Sequence, residues 1–154
     1  MQVVHIISGL GLGGAERMLA RLCAEHLGQG LCNPVVISLT DAGVLGPQLR
    51  SQGIRVETLG MRGIAGTPLA LWRLTQLLRE LQPHVVQTWL YHADIIGGLA
   101  ARAAGIGAVA WNIRCTAFGS SWTTGGLVSI GARLSRTLPA SIVCCGEEAA
   151  RAAA

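Results

Sequence analysis

Six short apolar runs, each followed by a segment in which apolar residues recur at helical spacing, set the limits on what this chain can become. The runs are 3–7, 34–40, 54–59, 84–90, 108–113 and 139–145. Helical patterns begin at Ala15, Gly46-Pro47, Thr67-Pro68, Ala93, Leu127 and Gly146. Strands this short and this apolar are buried on both faces, and no hairpin signal joins neighbouring runs. The alternation therefore predicts an α/β fold, a parallel sheet of about six strands covered by helices on both faces. A length of 154 residues fits one domain with a real core.

Within this frame the first corner stands out. Val3 to Ile7 empties into Ser8-Gly9-Leu10-Gly11-Leu12-Gly13-Gly14, and a helix follows from Ala15 with Leu19, Leu22, Cys23 and Leu27 on one face. Glycines between a strand and a helix leave backbone N–H groups free at the positive end of the helix dipole, which suits a phosphate. A tight turn that binds nothing is the alternative. Later segments carry their own signals. Thr67-Pro68 reads as an N-cap with proline at the first helical position, before the amphipathic run Leu69 to Leu81. Gly97-Gly98 interrupt the helix predicted over 93–104, at about 1 kcal/mol each relative to alanine. Something must approach that helix closely, either a strand or a ligand.

Ligands of parallel sheets bind beyond the strands' carboxyl ends, where strand order switches. The loops expected there carry Gly9 to Glu16, Tyr91-His92-Ala93-Asp94, 114–124 and Gly146-Glu147. Composition narrows the classes of ligand. All twelve basic residues are arginines, scattered from Arg17 to Arg151, and there is one Phe and one Tyr. That is a poor stacking platform, so no nucleic-acid partner is expected. The five cysteines form no C-x-x-C pair and read as reduced, mostly buried thiols, with no metal site. The N-terminus lacks a signal-peptide pattern and no apolar run reaches the ~18 residues of a membrane span. A cytoplasmic protein is expected.

Two readings of the first corner compete. Gly9, Gly11 and Gly14 fit G-x-G-x-x-G, and Asp41 follows the second strand as a ribose-binding acid would, though 27 positions beyond Gly14. This points to an NAD(P)-dependent oxidoreductase domain, or to a non-enzymatic nucleotide-binding module. The second reading uses Gly13-Gly14-Ala15-Glu16-Arg17 together with Val85-Val86-Gln87-Thr88-Trp89-Leu90-Tyr91-His92-Ala93-Asp94, Trp111-Asn112-Ile113-Arg114 and the stretch from Ser141 to Arg151. These landmarks resemble, in order, the N-terminal domain of retaining GT-B glycosyltransferases of family four, and this is the preferred reading.

The resemblance implies a Rossmann-like domain, residues 1–154, that is one half of a GT-B fold, holding the acceptor and truncated at its C-terminal end. A second, C-terminal domain, absent here, would hold most of a nucleotide-sugar donor. By this resemblance Gly13 and Gly14 contact the donor diphosphate. Glu16 and Asp94 are candidates for acceptor binding, although each equally fits a first-turn acid that favours its helix N-terminus. His92 and Arg114 are the catalytic candidates; His92 could bond a sugar hydroxyl or merely cap a helix. The family often carries a histidine just after the fifth strand; here Ile113-Arg114 stands there, so Arg114 is the candidate for the leaving phosphate. The paired-glutamate motif of the second domain is missing, and Glu147-Glu148 cannot replace it. No Asp-x-Asp pair appears, so metal-independent transfer without a cofactor is expected. The acceptor would be a glycan, lipid-linked or small molecule, which leaves room for peripheral contact with the inner membrane. The fragment alone should have no turnover.

Overall fold

The computed structural model describes residues 1–113, 131 and 133–144. Strand β1 spans Gln2–Ile7, β2 Asn33–Ser38, β3 Arg55–Thr58, β4 Val85–Trp89, β5 Val109–Ile113 and β6 Ser141–Cys144. Between them run α1 (Gly14–Gly28), α2 (Leu45–Ser51), α3 (Thr67–Leu81) and α4 (Tyr91–Ala103). All strands pair in parallel, in the order β3-β2-β1-β4-β5-β6. Val4 of β1 faces Val35 on one side and Val86 on the other. The expected α/β architecture is therefore present, and β1 and β4 lie at the centre.

Period-two alternation sends neighbouring strand residues to opposite faces. Val4, Ile6, Val35 and Ile37 pack with Leu74 and Leu78 of α3 and Ile96 and Ala100 of α4. Ile7 and Val36 instead join Leu19 and Cys23 of α1, Leu49 of α2 and Trp89. Helix α4 sits deepest. A Cβ on Gly97 would lie 2.8 Å from Cγ2 of Thr88 and 3.1 Å from Cδ1 of Ile6, and one on Gly98 would lie 3.2 Å from Nε1 of Trp111. The two helix glycines thus answer to the sheet. Arginines staple the layers: Arg79 donates to the Ala103 carbonyl at 2.9 Å, and Arg102 to Leu138 and Thr137 at 3.2 and 3.1 Å.

Two helix starts differ from expectation. A 3-10 turn, Ile64–Gly66, runs directly into α3, so Gly66 is the cap and Thr67 lies inside the helix, with no side-chain cap bond. Helix α4 begins at Tyr91 rather than Ala93, because Leu90 itself makes the turn out of β4. Trp111 is buried, as are the free thiols Cys23 and Cys32. Only Gly131, Arg133 and Leu134 of the helix expected over 127–138 are described as helical. Trp122 and the helix expected from Gly146 lie outside the described residues.

Candidate functional site

Strand order reverses between β1 and β4: the chain continues from β1 toward β2 and β3 on one side and from β4 toward β5 and β6 on the other. The corner after β1 and the corner after β4 therefore flank one crevice at the carboxyl end of the sheet.

The first corner is anchored from below. Leu10 is fully buried among Leu19, Leu45 and Leu49, and its carbonyl accepts the Leu45 amide at 3.1 Å. The Thr40 hydroxyl donates to the Ser8 carbonyl at 2.9 Å. A Cβ on Gly9 would lie 3.0 Å from that same hydroxyl oxygen, and one on Gly43, whose φ is +47, would collide with the Leu10 carbonyl. Gly9 and Gly43 are thus required by the loop's own packing. Gly11 and Gly14 are not. Neither has a positive φ, and a Cβ on either would meet nothing within 4 Å. Gly13 caps α1 at φ −70, ψ 173 without any side-chain bond, and both Gly13 and Gly14 are exposed. The carboxylate of Glu16 folds back over this cap: its Cδ lies 2.9 Å from where a Gly13 Cβ would stand. In that place it offsets the positive end of the helix dipole.

The second corner is built on strain. Leu90 adopts φ 74, ψ 150 and ends β4, a region that only glycine enters freely, at a cost of about 1–3 kcal/mol for other residues. Its carbonyl accepts the Asp94 amide at 2.9 Å, which starts α4. His92, in the first turn, is exposed. Asp94 is not: it is 2% exposed, and its Oδ1 accepts the Thr88 hydroxyl at 2.5 Å. Burial pushes the Asp94 carboxyl up to about 7, while the Thr88 hydroxyl and the Asn112 amide pull it back. The acceptor contact expected of Asp94 has no exposed carboxyl to carry it; the side chain is turned into the sheet.

Beneath both corners lies His5, wholly buried on β1. Its Nδ1 accepts the Trp89 indole N–H at 3.4 Å, with the rings 6.2 Å apart. Burial first, then the charge of His26, lowers its pKa to about 4 against an opposing contribution from Gln87. His5 is therefore neutral at pH 7. Asp41, the acid a dinucleotide site would direct to a ribose, accepts the Gly43 amide at 2.9 Å and shapes the loop under Leu10. Arg114, Glu147 and Glu148 lie outside the described residues. The structure brings Gly13, Gly14, Glu16 and His92 to the carboxyl end of the two central strands. Leu90 is the feature that sequence reasoning missed, since nothing in a leucine advertises a glycine conformation.

A family comparison decides between the two readings of the chain. The model of glycosyltransferase family 4 matches residues 12–147. The chain belongs to glycosyltransferase family 4. No curated relative matches it. Among solved structures, Anabaena HepE in complex with UDP superposes with a TM-score of 0.80 at 14% identity, covering 99% of this chain and 40% of HepE. MurG from Acinetobacter baumannii gives 0.63 at 21% identity over 93% of this chain and 40% of MurG. A UDP-GlcNAc 2-epimerase from Methanocaldococcus jannaschii gives 0.64 at 16% identity over 98% and 41%. At these identities the likeness is one of fold. The family 4 chain spans about two fifths of the length of the structures it matches. Family membership favours the transferase reading of the chain over the oxidoreductase one.

Proposed function

We propose that this family 4 domain is the acceptor-side half of a transferase that moves a hexosyl unit, with retention, from a nucleotide-sugar donor. The acceptor is a glycan, lipid-linked or small molecule, and a second domain of the whole protein supplies most of the donor contacts. The backbone N–H groups at Gly13 and Gly14 face the donor diphosphate once the Glu16 carboxylate, which folds over the Gly13 cap in the free domain, swings away. Glu16 and His92 engage acceptor hydroxyls, and Arg114 meets the leaving phosphate. One observation carries this reading: Gly14, exposed at the first position of α1 on the switch-point crevice, and Gly11, half-buried in the loop before it, are glycines without a conformational or packing need of their own. A surface kept bare there leaves room for something that comes from outside. The resemblance of the sequence to retaining family-four enzymes supports retention.

Calorimetric titration of the chain with UDP and with NAD tests the assignment. A diphosphate shared with a second domain leaves only a few donors here, so UDP should bind in the millimolar range or more weakly, about 4 kcal/mol or less. Micromolar NAD affinity, abolished by Gly11→Val, would defeat the transferase reading.

We place the lipid-facing contact, where the acceptor is lipid-linked, on α3. Leu69 and Trp72 are 52% and 59% exposed on α3, next in sequence to the exposed Arg73, and the loop before α3 carries the exposed Arg62. Apolar and aromatic side chains flanked by arginine suit the interface of an anionic bilayer. Among the described residues no helix is long and apolar enough to cross a membrane. Sedimentation with phosphatidylglycerol vesicles should fall severalfold on Trp72→Ala with Leu69→Ser. Unchanged sedimentation would remove α3 from the proposal.

A further inference from the structure

Leu90 needs an explanation that its own residue type does not supply. A strained conformation persists only where its flanks over-determine it. On the strand side, Thr88 and Trp89 are fully buried. On the helix side, Ala93, Asp94, Ile96, Gly97 and Gly98 are buried in turn, so α4 has no freedom to pivot away. The contact that joins the two sides is the hydrogen bond from the Thr88 hydroxyl to Asp94 Oδ1, at 2.5 Å. It closes a seven-residue loop, 88–94, with Leu90 inside it. The Asn112 amide, from β5, bonds the same carboxyl and ties the loop to the next strand.

Among the described residues Asp94 is the one buried acid. Burying a carboxyl is costly unless it is hydrogen-bonded, so a buried acid placed across a strained turn has a structural task. We infer that Asp94 is a positioning residue: through Thr88 and the Asn112 amide it holds the Leu90 corner and with it the exposed His92 at the rim of the crevice. The consequence for catalysis rests on the acceptor-side role proposed for His92; the clamp itself does not.

The clamp has two proton arrangements. Thr88 Oγ1 stands 2.5 Å from Asp94 Oδ1 and 3.5 Å from the Ala110 carbonyl. With the carboxylate ionised, the Thr88 proton points to Asp94. With the acid neutral, Asp94 donates to Thr88 Oγ1 and the Thr88 proton turns to Ala110. Burial, the Thr88 hydroxyl and the backbone N–H of Asn112 bias this equilibrium. On α4 itself the nearest titratable side chain is the exposed His92. Asp94→Asn can imitate the neutral arrangement, because an amide N–H can donate to Thr88 Oγ1 and its oxygen can accept the Asn112 amide. Asp94→Ala and Thr88→Val cannot.

The test is amide hydrogen exchange on the chain, read at Ile96 and Gly97, whose N–H groups bond first-turn carbonyls of α4, relative to Val4 to Ile6 of β1 so that global destabilisation cancels. Asp94→Ala and Thr88→Val should speed exchange at Ile96 and Gly97 at least tenfold on this relative scale. Asp94→Asn and Thr88→Ser should stay within about threefold of the parent. Relative exchange unchanged in Asp94→Ala and Thr88→Val, or as fast in Asp94→Asn as in Asp94→Ala, would overturn the clamp. The functional arm uses the whole transferase. There Asp94→Ala should raise the acceptor KM at least tenfold with the donor KM unchanged, and Asp94→Asn should restore the parent's acceptor KM. A fast-exchanging Asp94→Ala domain with an unaltered acceptor KM would refute the role given to His92 and leave the clamp standing.

Discussion

The two corners that flank the crevice depart from local rules in opposite directions. After β1, Gly11 and Gly14 stand where any residue would fit. After β4, Leu90 stands where only glycine would fit without strain. The first corner is left bare toward the outside, and the second is held from the inside by Asp94, Thr88 and the close docking of α4. A glycine that the fold does not require leaves its surface open. A missing glycine signals a conformation enforced by its surroundings.

Proton linkage should separate the two regions most strongly. His5, under the β1 side, goes from 6.5 to about 4 on folding, so its contribution to stability is intact above 6.5 and is lost as pH falls toward 4. Asp94, on the β4 side, goes from 3.8 to about 7, so its contribution is intact below 3.8 and is lost as pH rises through 7. Between pH 4 and 6.5 the two slopes oppose each other, and the parent's stability should change little from these groups. Asp94→Asn removes one slope, and the variant should lose on the order of 3 kcal/mol between pH 6.5 and 4. His5→Phe should show the reverse trend. Urea unfolding across this range checks both, and parallel profiles for parent and variants would break the contrast.

The leucines of the two corners should differ too. Leu10→Ala empties a fully buried site and should cost about 2–5 kcal/mol. Leu90→Gly loses a half-buried side chain but releases the strain at φ 74, so its net cost should stay within about 1 kcal/mol. Equal losses in chemical denaturation would mean that Leu90 is not strained.

How much of this was legible in the residues follows the same division. Apolar runs such as Val3 to Ile7 and the repeat from Leu69 to Leu81 mark their elements because burial dictates their spacing. Gly97-Gly98 announced a close approach, and the partner is the sheet. Leu90 could not be read, since its conformation is imposed by tertiary contacts that leave no trace in the local sequence. Asp94 misled for a related reason: a first-turn acid next to His92 resembles a solvent-facing ligand, and only the placement of Thr88 and Asn112 on adjacent strands shows where it turns. The start of α3 was read to within one residue: Pro68 stands in the first turn as expected, and the cap moves from Thr67 to Gly66 because Ile64–Gly66 runs directly into the helix.

Gly14→Val in the whole transferase tests the central claim most directly, with thermal stability and sugar transfer measured on the same preparation. A side chain at Gly14 meets open space within this domain, so the melting temperature should hold within a few degrees. If the corner is bare for the donor diphosphate, the new bulk should displace it and lower kcat/KM by about 100-fold, the scale of losing a backbone donor from an oxyanion site. A variant that folds as the parent does and transfers sugar at the parent's rate would show that the glycine corner is only a turn.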